Sequence, residues 1–306
     1  MPEPHSNPPA QRSWIAHLGY ERVAAGWRTI PPALAKPAPG EWRDHCLTAA
    51  WLGHSTVLLN FLGITILTDP VLFSRIGIRL PFFTVGPKRL TKPALTAAEL
   101  PPIDLILLSH AHFDHLDWRT LRQFDPSTQV ITAPRTSDIL RGTKLRKIAE
   151  LHWNEEREVR TGAGSLLVRA FRVNHWGARM RTDNHRGYNG YVLERNGRRV
   201  IFSGDTALTK TFADLNDGRP YDLAIIGIGA YQPWIRTHCT PEQAVTMANE
   251  AGALYLLPVH HQTFKLSFEP FREPIERFKA ALAAEPERIA LREIGETFVL
   301  PPETSF

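Results

Sequence analysis

Cysteine is nearly absent from this chain: Cys46 and Cys239 are the only 2 among 306 residues. Without metal-type spacing they exclude a disulfide framework and a thiolate metal site, and they fit a reducing cytoplasm. Internal repeats of solenoid length are missing too, which excludes stacked-repeat architectures. The opening stretch, MPEPHSNPPAQRSW, lacks the apolar core of a signal peptide. Residues 49–68, AAWLGHSTVLLNFLGITILT, carry no formal charge over a length that could span a bilayer. Yet His54, Asn60, several Ser and Thr, and two Gly interrupt them, and β-branched residues are frequent. They are expected to form strands joined near Gly63. Basic residues form no stripe. The net charge is +5 and the pI about 9.4, and the densest group, RGTKLRK at 141–147, reads as a solvated helix face. A nucleic-acid partner is therefore not expected. Mild basicity suits an anionic small molecule or surface.

Hydrophobic residues at 43% and charged residues at 22% are enough for a sizeable globular core. Residues 1–45 read as a Pro-rich extension packed on the body through Trp14, Trp27 and Trp42, and residues 46–306 as a single domain. LTAAWLG, STVLLNF and ITILTD are expected to be early strands, followed by a long loop and the buried strand IDLILLS at 103–109. Helices are expected at 116–124, 136–150, 240–252 and 268–285. The third carries a capping box, with Thr240 as cap, Pro241 in the first turn and Gln243 completing it. Strands are expected at 129–133, 165–173, 190–194, 199–204, 222–229, 253–259 and 288–300. The pattern implies two sheets with helices outside.

Four of these strands end in unusual polar groups: SHAHFDH at 109, NHWGAR at 174, SGDTA at 203 and HHQTF at 260. Strand-end loops that converge on one rim are how α/β proteins build sites. Imidazole and carboxylate are the ligand types of zinc and its borderline neighbours. His110 and His112 stand two apart and can point the same way; with His175 they make a three-histidine site. Asp114 and His115 turn toward a second metal, completed by His260. Asp205, with two carboxylate oxygens, is the natural bridge.

In this order, SHAHFDHLD, NHWGARM, FSGDTA and PVHHQTF resemble the metallo-β-lactamase superfamily of binuclear hydrolases. WLGHSTVLL, TDPVLFSR, GPKR and IGAYQPWIRTHCTPEQAV resemble, within it, the branch of N-acylphosphatidylethanolamine-hydrolysing phospholipase D. The resemblance spans roughly residues 45–268. It implies a four-layer αββα sandwich with the metals at one edge of the sheets. It implies the same ligand set, with His260 rather than His261 coordinating. It also implies that His54 and Asp69 orient ligands, and that His238, just before a helix N-terminus, lies beside the substrate. Tyr188, Tyr231 and His261 fall near the expected substrate side. There the chain departs from the branch, with His261 and Gln262 in place of Trp-Gly and with GYNGY at 187–191 in place of Leu-Trp-Gly-Gly.

The expected cofactor is a pair of divalent ions, zinc first, with manganese or iron as alternatives. The expected reaction is hydrolysis of a phosphodiester on a small or lipid-like anionic substrate. Water activated by the metals would attack phosphorus, with Asp114, Asp205 and His238 as the residues closest to the chemistry. Hydrolysis of a lactone or other cyclic ester at the same metals is the alternative, and a non-catalytic binding member a third reading. The loop 71–92 combines FSRIGIRLPFF with GPKRLTK. It suits a lid for an amphiphilic anion or a patch resting on a membrane surface, with packing against the sandwich edge as the other account.

Overall fold

The computed structural model describes residues 28–180 and 182–300. The expectations for Trp14 and Trp27 lie outside the described residues. Trp42 and Ala33 are partly buried against the main core.

Three antiparallel strands open the domain: β1 (Leu47–Gly53), β2 (Thr56–Phe61) and β3 (Ile64–Thr68). All positions of β1 and β2 are buried, which explains the uncharged run. Among the described residues no helix is long and apolar enough to cross a membrane. Two short strands, β4 (Ile78–Arg79) and β5 (Thr84–Val85), form a hairpin inside the expected loop. Then follow β6 (Leu105–Leu108), α1 (Trp118–Leu121), β7 (Gln129–Thr132), β8 (Lys147–Glu150), β9 (Glu156–Thr161), β10 (Gly164–Phe171), β11 (Gly190–Arg195) and β12 (Arg198–Phe202). The chain ends with α2 (Thr211–Asp214), β13 (Tyr221–Gly227), α3 (Pro241–Glu250), β14 (Ala253–Val259), α4 (Glu273–Ala281) and β15 (Thr297–Leu300).

One sheet has 7 strands in the order β15-β1-β2-β3-β6-β7-β8, and the other has 6 in the order β14-β13-β12-β11-β10-β9. Alternation along the second sheet divides its side chains between two cores. Leu193, Val200, Phe202, Leu223 and Ile225 meet Leu58, Leu67 and Leu107 of the first sheet. Val192, Ile201, Ala224 and Ile226 face Ala244, Met247 and Ala248 of α3 and Ile275 and Phe278 of α4. On the outer side of the first sheet, α1 and a 3-10 turn at Ser137–Gly142 bury Leu121 and Leu140. The result is the αββα sandwich that the resemblance implies.

The helix expected at 136–150 does not form. The 3-10 turn stops at Gly142, where a Cβ would come within 2.7 Å of the Trp118 ring. Residues 147–150 then pair with β7 as the edge strand β8. The basic group at 141–147 is thus a turn and an edge strand, not a helix face, and lysine at a sheet edge discourages further pairing. Among the other helices, 116–124 keeps only Trp118–Leu121, and 268–285 begins at Glu273 with Pro274 in its first turn. The strand expected at 288–300 reduces to Thr297–Leu300 plus a bridge from Ile289 to Leu256. Strand β9, EREVRT, was not anticipated: only Val159 is buried, and the strand exists because it pairs with β10. The capping box at α3 is present on both sides, Thr240 accepting from Gln243 N and Gln243 from Thr240 N.

Candidate metal centre

The polar groups meet at one edge of the sandwich. His110, His112, Asp114 and His115 follow β6, His175 follows β10, Asp205 follows β12 and His260 follows β14. The amides of His115 and Leu116 both donate to the His112 carbonyl, at 3.1 and 2.9 Å, so the loop closes into a tight turn carrying three candidate ligands. Gly204 lets β12 exit against this loop, since a Cβ there would stand 2.6 Å from Ser109 Cβ, and its φ is +56°. The His260 amide donates to the His54 carbonyl at 3.1 Å and ties the second sheet to the β1–β2 turn. His54, Asp69 and His260 all adopt positive φ, at 54°, 33° and 62°. Such backbone in non-glycine residues needs surrounding structure to hold it, and clusters at sites.

Several overlapping groups of candidate donors result, among them one around His112 and one around Asp114. His112 Nδ1 lies 2.8 Å from His110 Nε2 and 3.3 Å from His175 Nε2. Asp114 Oδ2 lies 3.6 Å from His115 Nε2 and 3.4 Å from His260 Nε2. Asp205 Oδ2 stands between the groups, 3.0 Å from His115 Nε2, 3.1 Å from His260 Nε2, 3.8 Å from His175 Nε2 and 4.0 Å from His110 Nε2.

Hydrogen bonds on the far side of the rings fix which nitrogens face inward as lone pairs. His175 Nδ1 donates to the Thr237 carbonyl at 2.8 Å, leaving Nε2 unprotonated in the neutral ring. His115 Nδ1 donates to Asp69 Oδ2 at 2.7 Å, with the same consequence. Yet His115 Nε2 and His260 Nε2 lie close to Asp205 without a hydrogen bond, and Asp205 Oδ1 is buried and unpartnered as well. Buried ring nitrogens and carboxylate oxygens crowded this closely share a positive charge, protons in the metal-free side chains and a metal ion when one is bound, so the donor set fits divalent metal.

The electrostatics of the metal-free side chains agree. Burial, reinforced by neighbouring imidazoles, holds His110 well below the usual histidine range. Burial also lowers His175 well below it and His112 to about 4. For His115, burial acts downward, but the Asp205 and Asp114 charges outweigh it and raise the ring well above the ordinary value. His260 is raised to about 9 in the same way, by Asp205 and Asp114 against burial. Burial opposes ionisation of Asp114 and Asp205, but the histidines around them win and hold both carboxyls well below the usual range.

The supporting residues lie where ligands need orienting. His54 Nε2 donates to Asp114 Oδ2 at 3.0 Å. Asp69 accepts from His115 and, through Oδ1 and Oδ2, from the Ser109 amide and hydroxyl at 2.7 and 2.5 Å. Ser109 Oγ in turn meets His110 Nδ1 at 2.9 Å. His238 Nε2 is 3.2 Å from Asp205 Oδ2, nearly as close as His115 and His260. Tyr231 is buried, and its hydroxyl donates to Glu273 Oε1 at 2.7 Å. Tyr188 forms an isolated bridge with His110 and packs its ring on Trp153 at 5.4 Å. His261 is buried against Trp51, ring centroids 4.5 Å apart, and neither ring nitrogen has a hydrogen-bond partner. Sequence reasoning missed Ser109, Thr237 and Arg179. Arg179 Nη1 donates to the Ala111 and Leu116 carbonyls at 2.9 and 2.8 Å, and the guanidinium lies 4.0 Å from the Phe113 ring centroid. The motif NHWGARM held that arginine, but nothing local revealed its partners.

Sandwich and donor set together define a metal-dependent hydrolase. The family described as beta-lactamase superfamily domain matches residues 65–261, and the chain belongs to it. The N-acyl-phosphatidylethanolamine-hydrolyzing phospholipase D 1 of Caenorhabditis elegans is 30% identical over 255 residues, 78% of this chain and 70% of the worm protein. The mitochondrial N-acyl-phosphatidylethanolamine-hydrolyzing phospholipase D of Saccharomyces cerevisiae is 31% identical over 81% of this chain and 54% of its own length. A Mycobacterium tuberculosis protein described as uncharacterized is 34% identical over 88% of this chain and 73% of its own. These relatives place the chain in the phospholipase D branch of the superfamily. The fold is shared with Igni18, a metallo hydrolase of Ignicoccus hospitalis, at TM-score 0.63 and 18% identity over 83% of this chain and 98% of that one.

Proposed function

We propose that the centre holds two zinc-type ions and hydrolyses a phosphodiester whose alcohol or acyl part is apolar. His110, His112 and His175 would hold one ion, Asp114, His115 and His260 the other, and Asp205 would bridge. The ions would supply Lewis acidity, lowering the pKa of a water and offsetting charge on the phosphoryl oxygens. The observation that carries the reading is the position of Asp205 Oδ2 among nitrogens of four of these histidines, at 3.0, 3.1, 3.8 and 4.0 Å.

The chain's own residues prepare the rest. His54 and Asp69 fix the rotation of Asp114 and His115 from behind. His238, beside Asp205 and just before the N-cap of α3, is placed to donate to an anionic oxygen or to a departing alkoxide. Trp176, Leu208, Trp234 and Ile235 are exposed large apolar residues, each within four residues of His175, Asp205 or His238 in sequence. Exposed apolar side chains this near in sequence to a centre that would be cationic with its ions suit an amphiphilic anion, which supports a substrate like that of the phospholipase D relatives.

The test is metal analysis followed by a substrate panel. The protein reconstituted with zinc should bind two ions per chain and turn over bis(p-nitrophenyl) phosphate and N-acylphosphatidylethanolamine while leaving simple lactones almost untouched. Strong lactonase activity without diesterase activity would replace the phosphodiester with a cyclic ester. Full activity with one ion per chain would end the binuclear reading.

A further inference from the structure

The β4–β5 hairpin carries apolar side chains that the fold does not use. Phe82 is 96% exposed, Phe83 60%, Ile78 46% and Leu80 39%. The tip is a tight turn, Leu80-Pro81-Phe82-Phe83, closed by the Leu80 amide donating to the Phe83 carbonyl at 2.8 Å. At its base, Gly77 and Gly86 approach so closely that a Cβ on either would stand 2.1 Å from a carbonyl oxygen of the opposite strand. The hairpin is therefore a defined projection with phenylalanines at its end.

Its flank is cationic. A cleft of about 540 Å³ runs between the hairpin and α1, and its lining includes Arg79, Arg119, Arg122 and Lys144 but no carboxylate. Arg119 also fastens the hairpin to the body. It donates to Thr84 Oγ1 at 3.1 Å and to the Arg75 carbonyl, and pairs with Asp117 at 3.1 Å. Asp117 closes the metal loop, so the hairpin is anchored two residues from His115.

We infer that this hairpin docks the enzyme onto an anionic lipid surface. Aromatic tips beside clustered cations match an interface in which apolar side chains enter the acyl boundary and cations meet lipid phosphates. A second copy of the chain would bring four more cations to the same cleft, so charge favours the lipid. The inference does not depend on which ester the centre cleaves.

Co-sedimentation of the full, metal-loaded chain with lipid vesicles tests it. Binding should be strong to vesicles containing phosphatidylglycerol, weak to phosphatidylcholine alone, and reduced by salt. The double variant F82S/F83S should lower partitioning roughly tenfold or more. R122Q/K144Q should lower it by roughly fivefold per charge and flatten its salt dependence. Metal content and melting temperature, read on the same variants, report the fold without reference to any substrate. The inference is overturned if the wild type fails to sediment with phosphatidylglycerol vesicles or if F82S/F83S binds them equally well. It is also overturned if F82S/F83S converts a dimer to a monomer while vesicle binding persists, because the tip would then meet a second copy.

Discussion

Asp69 Oδ2 accepts a 2.7 Å hydrogen bond from His115 Nδ1 and a 2.5 Å one from Ser109 Oγ, which itself meets His110 Nδ1 at 2.9 Å. One fully buried carboxylate thus reaches candidate ligands of both proposed groups, His115 directly and His110 through Ser109. Burial pushes its own pKa up, while its bonds to His115 and Ser109 pull it down.

Asp69→Asn keeps the size of the side chain but removes its charge. Losing the partner of a ligating imidazole typically costs 10–100-fold in metal affinity. Competition with a chromophoric chelator should read a loss of that size at both ions. Equal affinity in wild type and variant would reduce Asp69 to a turn residue.

Metal uptake should release protons unevenly. In the metal-free protein the Asp205 and Asp114 charges raise His115, and they raise His260 to about 9, so His260 is protonated at pH 7 and must lose that proton to coordinate. His110, His112 and His175 are lowered, so they are already neutral and release none. Release from His260 should therefore accompany filling of the Asp114–His115–His260 group and fade as pH rises through about 9. Calorimetric titration of stripped protein in two buffers of different ionisation enthalpy measures it. A heat independent of buffer at pH 7 contradicts the assignment.

His238→Ala separates catalysis from metal binding. With its Nε2 3.2 Å from Asp205 Oδ2, His238 sits beside the centre and outside the proposed groups His110–His112–His175 and Asp114–His115–His260. The variant should keep both ions, while kcat and kcat/KM fall about 10²–10⁴-fold, the usual weight of a general acid. A change in KM alone would mean uniform binding. Loss of an ion would make His238 a ligand and redraw the division.

The candidate metal loop was legible in the sequence because four of the possible donors fall within six positions, 110 to 115, and the others stand at strand ends. The two sheets were legible because buried strands are apolar on both faces. β9 was not, because EREVRT buries only Val159 and owes its conformation to its neighbour. Nor was the break at Gly142, which depends on Trp118 lying against it. The partner of Tyr231 was not legible either: its hydroxyl donates to Glu273, 42 residues further on. What the sequence hides in each case is a partner distant along the chain.

Arg179 is the sharpest example, and it yields a stability prediction. Its guanidinium spans the metal loop from Ala111 to Leu116, and burial lowers its pKa to about 10. Removing it would leave two buried carbonyls without their charged donor. Hydrogen bonds of this kind contribute about 1.5–3 kcal/mol, and an orphaned buried acceptor costs a similar amount. Arg179→Ala should therefore lower the melting temperature and loosen the turn that carries His112, Asp114 and His115, so metal affinity falls with it. Arg179→Lys keeps the charge but loses the planar fork, and it should recover part of the stability and less of the affinity. Thermal melts with and without saturating zinc distinguish the effects. If Arg179→Ala melts and binds zinc like the wild type, the arginine is not a clamp on the metal loop.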